Sequence, residues 1–592
     1  MRTPHPVASQ SAAHVPSRTT FGTAFVCAAL IAGAAQAADP DFGPDVLVFS
    51  PATPPAQVQA ALNAIAGEGE FSSKRHAVLF KPGSYAVDAQ VGYYTSVAGL
   101  GLRPDDVVIE GGLRAEGPLD TATWTDSALV NFWRSIENIS ITPTGGRTRW
   151  AVSQASPMRR VHVRGGLDLM PAYWGYSSGG YIADSKIDGQ VQSGSQQQWY
   201  ARDSIFGSWA GSVWNQVFSG VQGAPAQSFP APAVTTLGTT PRSREKPFLY
   251  IDASGNYQVF RPALRREAQG TTWTTGSAAG TAIPLDRFFI ARPEHTAAQI
   301  NAALAGGSHL LFTPGIYRLT EQLNVSRPDT IVMGLGMATL VPQGGQPAIA
   351  AADVDGLSIS GIIVDAGPVA SPVLVQVGGR SALRAAAAAS ASAHAANPAS
   401  LHDVFFRIGG AGAGSAVTSL EVNSHNAIVD HVWAWRADHG AGVGWTRNTA
   451  ANGVVVNGDN VIATGLFVEH YQKHQVLWNG DGGTTIFYQS ELPYDVPSQA
   501  AWMNGAVNGY ASYAVGPKVR THQAHGLGVY AFFNQGQPIV EESAVSVPDA
   551  PGVRIHDAVS VFLAGSGSIA HVVNRLGAAA HAGSSTSFLT SN

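Results

Sequence analysis

The sequence predicts an all-β protein built from two tandem parallel β-helix domains, each opened by a capping helix. Two observations carry this. The chain states one opening phrase twice, and its composition suits stacked short strands. The first copy, within 56–112, reads AQVQAALNAIA, HAVLFKPGSYAV, VAGLG, and the second, within 297–336, reads AQINAALAGG, SHLLFTPGIYRL, VMGLG. Gln57 answers to Gln299, Pro82-Gly83 to Pro314-Gly315, Tyr85 to Tyr317, and Gly99-Leu100-Gly101 to Gly334-Leu335-Gly336. The spacing drifts because the first copy carries extra residues around Gly67–Lys74. A long-period repeat of this kind means two homologous domains. The 592 residues are 45% hydrophobic and only 13% charged, with 66 glycines, which favours tight turns over helices.

Each part of the phrase has a physical reading. AQVQAALNAI spaces its apolar residues as a short amphipathic helix does. VLF and LLF are short apolar strands, and Pro-Gly is a turn. A helix ahead of the first coil covers the open end of a strand stack, which would otherwise invite edge-to-edge pairing.

Residues 1–37 read as a secretory signal, with Arg2 and Arg18 before an apolar core at Phe21–Gly33 and a cleavage site at Ala35-Gln36-Ala37. The single cysteine, Cys27, falls inside it, so the mature chain is expected to hold no disulfide and use no thiol. The protein is expected to be secreted, extracellular or periplasmic, and free of the membrane once the signal is cut. No basic tract points to nucleic acid.

The first domain is assigned to 38–284. Its coils show in PMRRVHV (157–163), IADSKI (182–187), YARDSIF (200–206) and NQVFSGV (215–221). Gly223–Arg244 reads as an extended crossing segment, the start of a linker reaching to about 284. FLYIDASGNYQVF (248–260) is a hairpin turning at Ser-Gly-Asn. The second domain occupies 285–592. Within it, the Ala-rich stretch 379–400 is either an inserted surface loop or a lid.

The chemistry concentrates in three coils of the second domain, VWAWRADHG (432–440), LFVEHYQKH (466–474) and YQSELPYD (488–495). Aligned, they put Trp435, Glu469 and Glu491 in one column, with the glutamates 22 residues apart. Adjacent parallel strands lie roughly 4.8 Å apart, so the two carboxylates stack. Their repulsion raises one pKa and makes a proton donor. Tyr471, Trp478, Phe487, Tyr488, Tyr494 and Trp502 crowd the same segment in a chain that is 9% aromatic. Paired carboxylates beside aromatic faces suit a sugar-hydrolysing cleft. In the first domain, counting back nine residues from Val163, Ile187 and Phe206 gives Gln154, Ser178 and Gln197. This polar column either orients a water or forms an internal ladder. His470 and His474 lie four apart on a strand-and-turn segment, without the H-E-x-x-H pattern. They are read as structural or substrate-contacting. No metal or cofactor is expected.

The runs WAVSQASPMRRVHVRGGL (150–167), SSGGYIADSKIDGQVQSGSQQQWYARDS (177–204), SREKPFLYID (243–252) and TGLFVEHYQKHQVLWNGDGGTTIFYQSELPYD (464–495) resemble glycoside hydrolase family 55. The resemblance implies a secreted β-1,3-glucanase of laminarin-type glucans, exo-acting and monomeric. It implies two right-handed, pectin-lyase-like β-helices side by side with the cleft between them, and inversion at the anomeric carbon. Glu491 then matches the general acid. Glu469, with Gln154 and Ser178, matches the group holding the nucleophilic water. Trp435 matches a sugar-stacking wall, and Trp174 takes a place usually held by a tyrosine. Gln197, Trp478, Tyr494 and His470 complete the expected substrate contacts. Adjacent-coil carboxylates suggest the shorter separation of retaining enzymes, so inversion rests on the resemblance. Two other classes stay open: a lyase or polygalacturonase, for which the chain lacks a dense Asp column, and a non-catalytic glycan-binding β-helix.

Overall fold

The computed structural model describes residues 39–592, apart from Ser277 and 380–392. The segment read as a signal, and most of the Ala-rich stretch, lie outside the described residues.

Helices at Pro55–Ile65 and Ala297–Ala305 open the two halves. The second is held by a reciprocal cap. Thr296 Oγ1 accepts from the Gln299 amide, and Gln299 Oε1 accepts from the Thr296 amide at 2.9 Å. The repeated Pro-Gly turns share a reason for glycine. Gly83 and Gly315 sit at φ +140° and +154°, and a Cβ on either would lie 2.3 or 2.2 Å from the Cγ of Pro51 or Pro293. The repeated tyrosines also act alike. Tyr85 Oη reaches the carbonyls of Phe49 and Lys81, and Tyr317 Oη those of Ala291 and Thr313.

Beyond each cap the chain winds into parallel coils. In the first half the main sheet climbs through Arg134–Pro143, Met158–Val163, Tyr181–Ala183, Gln198–Arg202 and Asn215–Ser219. The fourth coil stands two residues from the register expected of it, since Ala201 pairs with Phe218 and Ile205 with Gln222. The expected crossing segment also adds a rung, because Val234–Leu237 pairs in parallel with Asn215–Ser219. In the second half the main sheet climbs through Ser400–Ile408, Ile428–Arg436, Ile462–Glu469, Gly483–Glu491, Thr521–Phe533 and Gly552–Gly565. Phe248–Ile251 and Tyr257–Pro262 form the expected antiparallel hairpin, joined by Gly280–Pro284.

These long strands bend at a stacked column of left-handed residues. In register, Asp403, His431, Gly465, Phe487, Gly526 and Asp557 all have φ between +51° and +67°. Asp, Asn, His and Gly tolerate this conformation best. The bend turns part of each strand toward the other β-helix.

Each β-helix has its own apolar interior. Between them runs a third buried cluster, where Phe132, Trp133, Tyr181 and Tyr200 meet Phe405, Trp433, Phe467 and Phe487. Trp433 lies 4.8 Å, ring to ring, from both Phe132 and Trp133. A buried ionic cluster crosses the same seam. Arg159 donates to Asp403 at 2.8 Å and to Asp430 at 2.9 Å. Arg202 donates to Asp430 at 2.7 Å and to Glu245 at 2.9 Å. Burial opposes the charge on Asp430, but Arg202 and Arg159 override it and hold its carboxyl well below the usual range. Asp430→Ala would take one buried acceptor from each guanidinium, leaving Arg159 to Asp403 and Arg202 to Glu245. It should cost about 3–5 kcal/mol, seen as a lower unfolding midpoint in urea.

Candidate active site

The cleft lies on the seam. Strand pairing sets Trp435 beside Glu469, and the register Phe467↔Gln489 continues to set Glu469 beside Glu491. Glu491 in turn pairs with Tyr530. In the first half, Val163, Ile187 and Phe206 are in register, and Ser177 bridges Gln196. This brings Gln154, Ser178 and Gln197 to the opposite wall.

The two columns bond across the cleft. Gln154 Nε2 donates to Glu469 Oε1 at 2.8 Å and to Ser178 Oγ at 3.0 Å. Ser178 Oγ lies 3.5 Å from Glu491 Oε1. Trp433 Nε1 donates to Glu469 Oε2 at 2.8 Å. Tyr494 Oη donates to Glu491 Oε2, and Gln489 Nε2 donates to Glu491 Oε1 at 3.3 Å. The Gln154 amide oxygen is buried with no protein partner.

Burial, then the charge of Glu491, raises the pKa of Glu469 despite its bonds to Trp433 and Gln489. Burial raises that of Glu491 too, reinforced by Asp438 and opposed by His470, Tyr494 and Ser178. The pair therefore favours sharing a proton. Glu469 is held by the N–H groups of Trp433 and Gln154, which only donate. Glu491 accepts from the Tyr494 hydroxyl and the Gln489 amide, with the Ser178 hydroxyl also facing it.

The cavity holds about 670 Å³ and is lined by Gln154, Ser178, Gln197, Trp435, Glu469, His470, Glu491 and Tyr494 of the expected residues. Trp435 is only 2% exposed, packed against Trp433 and backed by Phe71. Two expected contacts lie elsewhere. Trp478 is fully buried inside the second β-helix, stacked on Tyr513, because its strand belongs to a different face of the coil. Trp174 is 60% exposed on an outer loop and is not part of the cavity wall; Tyr176 of the same loop reaches it instead.

The sequence reading missed Trp433, Gln489, Asp438 and His439. The first two sit two residues before Trp435 and Glu491, which is the strand period that returns a side chain to the same face. Asp438 and His439 line the cavity at the end of the segment VWAWRADHG. Burial opposes ionisation of Asp438, but its bond to His439 and the charges of His470 and His439 hold it at about 2. His439 bonds Asp438 and Glu70, which outweigh burial and lift it to about 10. Among the described residues no cluster of three or more His, Cys, Asp or Glu is placed to hold a metal ion.

A pair of carboxylates sharing a proton, faced by neutral amides in an aromatic-walled cleft, defines a glycosidase-type site. The comparisons with known proteins narrow it. Residues 288–491 match the model of the LAM55 pectate lyase-like domain. An exo-beta-1,3-glucanase of Streptomyces sp. (strain SirexAA-E / ActE) is 52% identical over 542 residues, covering 91% of this chain and 87% of that protein. The structure of sacteLam55A from Streptomyces sp. SirexAA-E aligns with a TM-score of 0.89 at 50% identity, over 93% of this chain and 99% of that one. A glutamate-to-alanine variant of the same enzyme, solved in complex with glucose, aligns with the same TM-score over 93% and 98%. The chain belongs to glycoside hydrolase family 55.

The raised pKa of Glu491 has a consequence for stability. Below the ordinary carboxylate value of 4.5, folded and unfolded chains both hold the proton, and its contribution to stability is complete. That contribution is lost as pH rises through the elevated folded value. Glu491→Gln removes this titration. The thermal midpoint of the variant, relative to the parent, should therefore climb as pH rises above the ordinary carboxylate range, as followed by circular dichroism.

Proposed function

We propose that this protein is a secreted, exo-acting β-1,3-glucan hydrolase that releases glucose with inversion, acting as a monomer without a cofactor. One observation carries the reading. The Gln154 and Ser178 column of one β-helix bonds across the seam to the Glu469 and Glu491 column of the other. The exo mode, the linkage and the glucose product are supported by the named activity of the Streptomyces relative and by the glucose complex of its variant. Secretion rests on the leader-like segment 1–37.

Each group then has one task. Glu491 protonates the glycosidic oxygen, which is a poor leaving group until it gains a proton. A water on the opposite face of the sugar donates one hydrogen to the Glu469 carboxylate. It donates the other to the Gln154 amide oxygen, which has no protein partner. A water lone pair is left directed at the anomeric carbon. Ser178, bonded to Gln154, fixes that amide. Tyr494 supplies ring surface against the sugar, and the edge of the buried Trp435 closes the wall beside it.

Glu491→Gln should lower kcat on laminarin about 10²–10⁴-fold. An aryl β-glucoside, whose leaving group needs little protonation, should partly restore it. The same substrate should not rescue Glu469→Gln, which lacks the partner of the water. Activity should fall at alkaline pH as Glu491 loses its proton. Early-time NMR should show α-glucose first, since one displacement inverts a β-linkage. β-Glucose appearing first would replace this mechanism by a covalent intermediate.

A further inference from the structure

The two copies part company between the capping helix and the next strand. The second copy makes this passage in residues 306–308, from Ala297–Ala305 to His309–Phe312. The first takes residues 66–75, from Pro55–Ile65 to His76–Phe80. The extra residues cross the seam. Arg75 braces their stem by donating to the carbonyls of Ser72 and Lys74 at 2.8 and 2.7 Å. It also donates to Thr339 Oγ1 of the other half at 2.9 Å. The Tyr94 hydroxyl donates to the Glu70 carbonyl.

At the tip, Phe71 sits in a socket of the second β-helix. Its ring lies within 8° of parallel to that of Trp435, 6.5 Å between centres, and meets the His439 ring at 5.7 Å. Gly410 and Gly440 make room for it, since a Cβ on either would lie 2.9 or 2.7 Å from the Phe71 ring. Glu70 reaches the same histidine. Its Oε1 accepts from His439 Nε2 at 2.7 Å, while Asp438 Oδ1 accepts from Nδ1 at 2.8 Å. Carboxylates only accept, so both ring nitrogens carry hydrogen and the imidazole is a cation. Trp435, Asp438 and His439 line the cavity, whereas Glu70 and Phe71 stand behind its wall.

We propose that Glu70 and Phe71 are positioning residues for the hydrolysis, acting through His439, Asp438 and Trp435. The inference rests on the function proposed above. Phe71 fixes the plane of Trp435, whose edge closes the wall. Glu70 acts through charge. His439 divides its charge between two carboxylates, so Asp438 faces the glutamate pair only partly neutralised. The negative charge that remains raises the proton affinity of both Glu469 and Glu491. His470 also faces the pair, 3.9 Å from Glu491 and 4.0 Å from Asp438, and Tyr494 bonds Glu491. Arg436 is paired with Asp495. Within the insertion, Glu68 bonds Ser72 and pairs with His76, Lys74 is exposed, and Arg75 turns to Thr339.

The test compares Glu70→Gln and Phe71→Ala with the parent, in the full chain and on laminarin. In Glu70→Gln the whole His439 charge falls to Asp438. Glu491 then holds its proton less firmly, and the alkaline limb of the kcat/KM profile should move to lower pH. Phe71→Ala leaves Trp435 unbacked and should lower kcat about 10–10²-fold. Phe71→Leu, which refills the socket, should recover most of that loss. A Glu70→Gln profile whose limbs stay where the parent has them, whatever its height, overturns the proposal. So does a Phe71→Ala variant with the kcat of the parent, or a Phe71→Leu variant as impaired as Phe71→Ala. A second readout needs no turnover. In protein labelled with carbon-13 at histidine Cε1, the His439 signal is identified by its loss in His439→Asn. It should titrate at about 10 in the parent and at a distinctly lower pH in Glu70→Gln. A parent that leaves laminarin intact would sink the function proposed above, while this shift would still support the link from Glu70 to His439. Equal titration in parent and variant overturns the link even in an active enzyme.

Discussion

The charged cluster on the seam sets the geometry on which the site depends. Arg159 and Arg202 are buried against Asp403, Asp430 and Glu245, contributed by segments far apart in the sequence. Removing such charges from water costs several kcal/mol per ion, and attraction repays it only when the geometry is good and every donor has an acceptor. A cluster of this kind adds little net stability. It does penalise any sliding of one β-helix along the other, since a shift would leave a guanidinium unpaired. Gln154 and Glu469 stand on opposite sides of that seam, 2.8 Å apart. Their bond survives only if the two bodies hold their places to a fraction of an ångström. His431 ties the cluster to the site directly. Its Nδ1 meets Asp403 at 2.7 Å and its Nε2 meets the Gln154 carbonyl at 3.2 Å, while its ring stacks on Tyr181 at 4.3 Å.

The bends in the strands serve the same end. A straight strand would keep its side chains on one flat face. The left-handed column Asp403, His431, Gly465, Phe487 swings the following residues toward the other β-helix. Trp433, Trp435, Glu469 and Glu491 all follow such a bend. Gly465 shows how close the approach is, because a Cβ there would lie 2.8 Å from the Tyr181 ring. The aromatic seam beside the cleft also keeps water from the carboxylates, and this desolvation is the first cause of their raised pKa values.

The duplication and both functional columns were legible because they depend on register, and register leaves a period in the sequence. The glutamate pair needed only the 22-residue step. Trp478 was misplaced because aromatic density along a segment does not say which face of the coil a residue occupies. Its neighbours in the ladder are Val456 and Val515, which belong to the interior. Trp433 and Gln489 were recoverable from the two-residue strand period. The seam was not recoverable. Its ion pairs join positions such as Arg159 and Asp403, 244 residues apart, and no local pattern selects those partners. The Asp and His residues of the bends carry a trace in their tolerance for left-handed backbone, but that trace becomes readable only once the coils are aligned.

Two homologous β-helices have room for a site each, yet the structure has built one site from two unlike halves. Electrostatics explains why the halves differ. Glu469 and Glu491 are already buried close enough for each to resist the other's ionisation, and Asp438 stands nearby as a third anion. A further carboxylate from the first β-helix would drive the pair to hold an additional proton, and the charge on Glu469 that orients water would be lost. Gln154, Ser178 and Gln197 are neutral. They donate and accept hydrogen bonds without adding to the field. The first copy can therefore bond the second copy's carboxylates and leave one buried amide oxygen free for water. One acidic wall faced by one neutral wall keeps the negative field at the pair weaker than two acidic walls would.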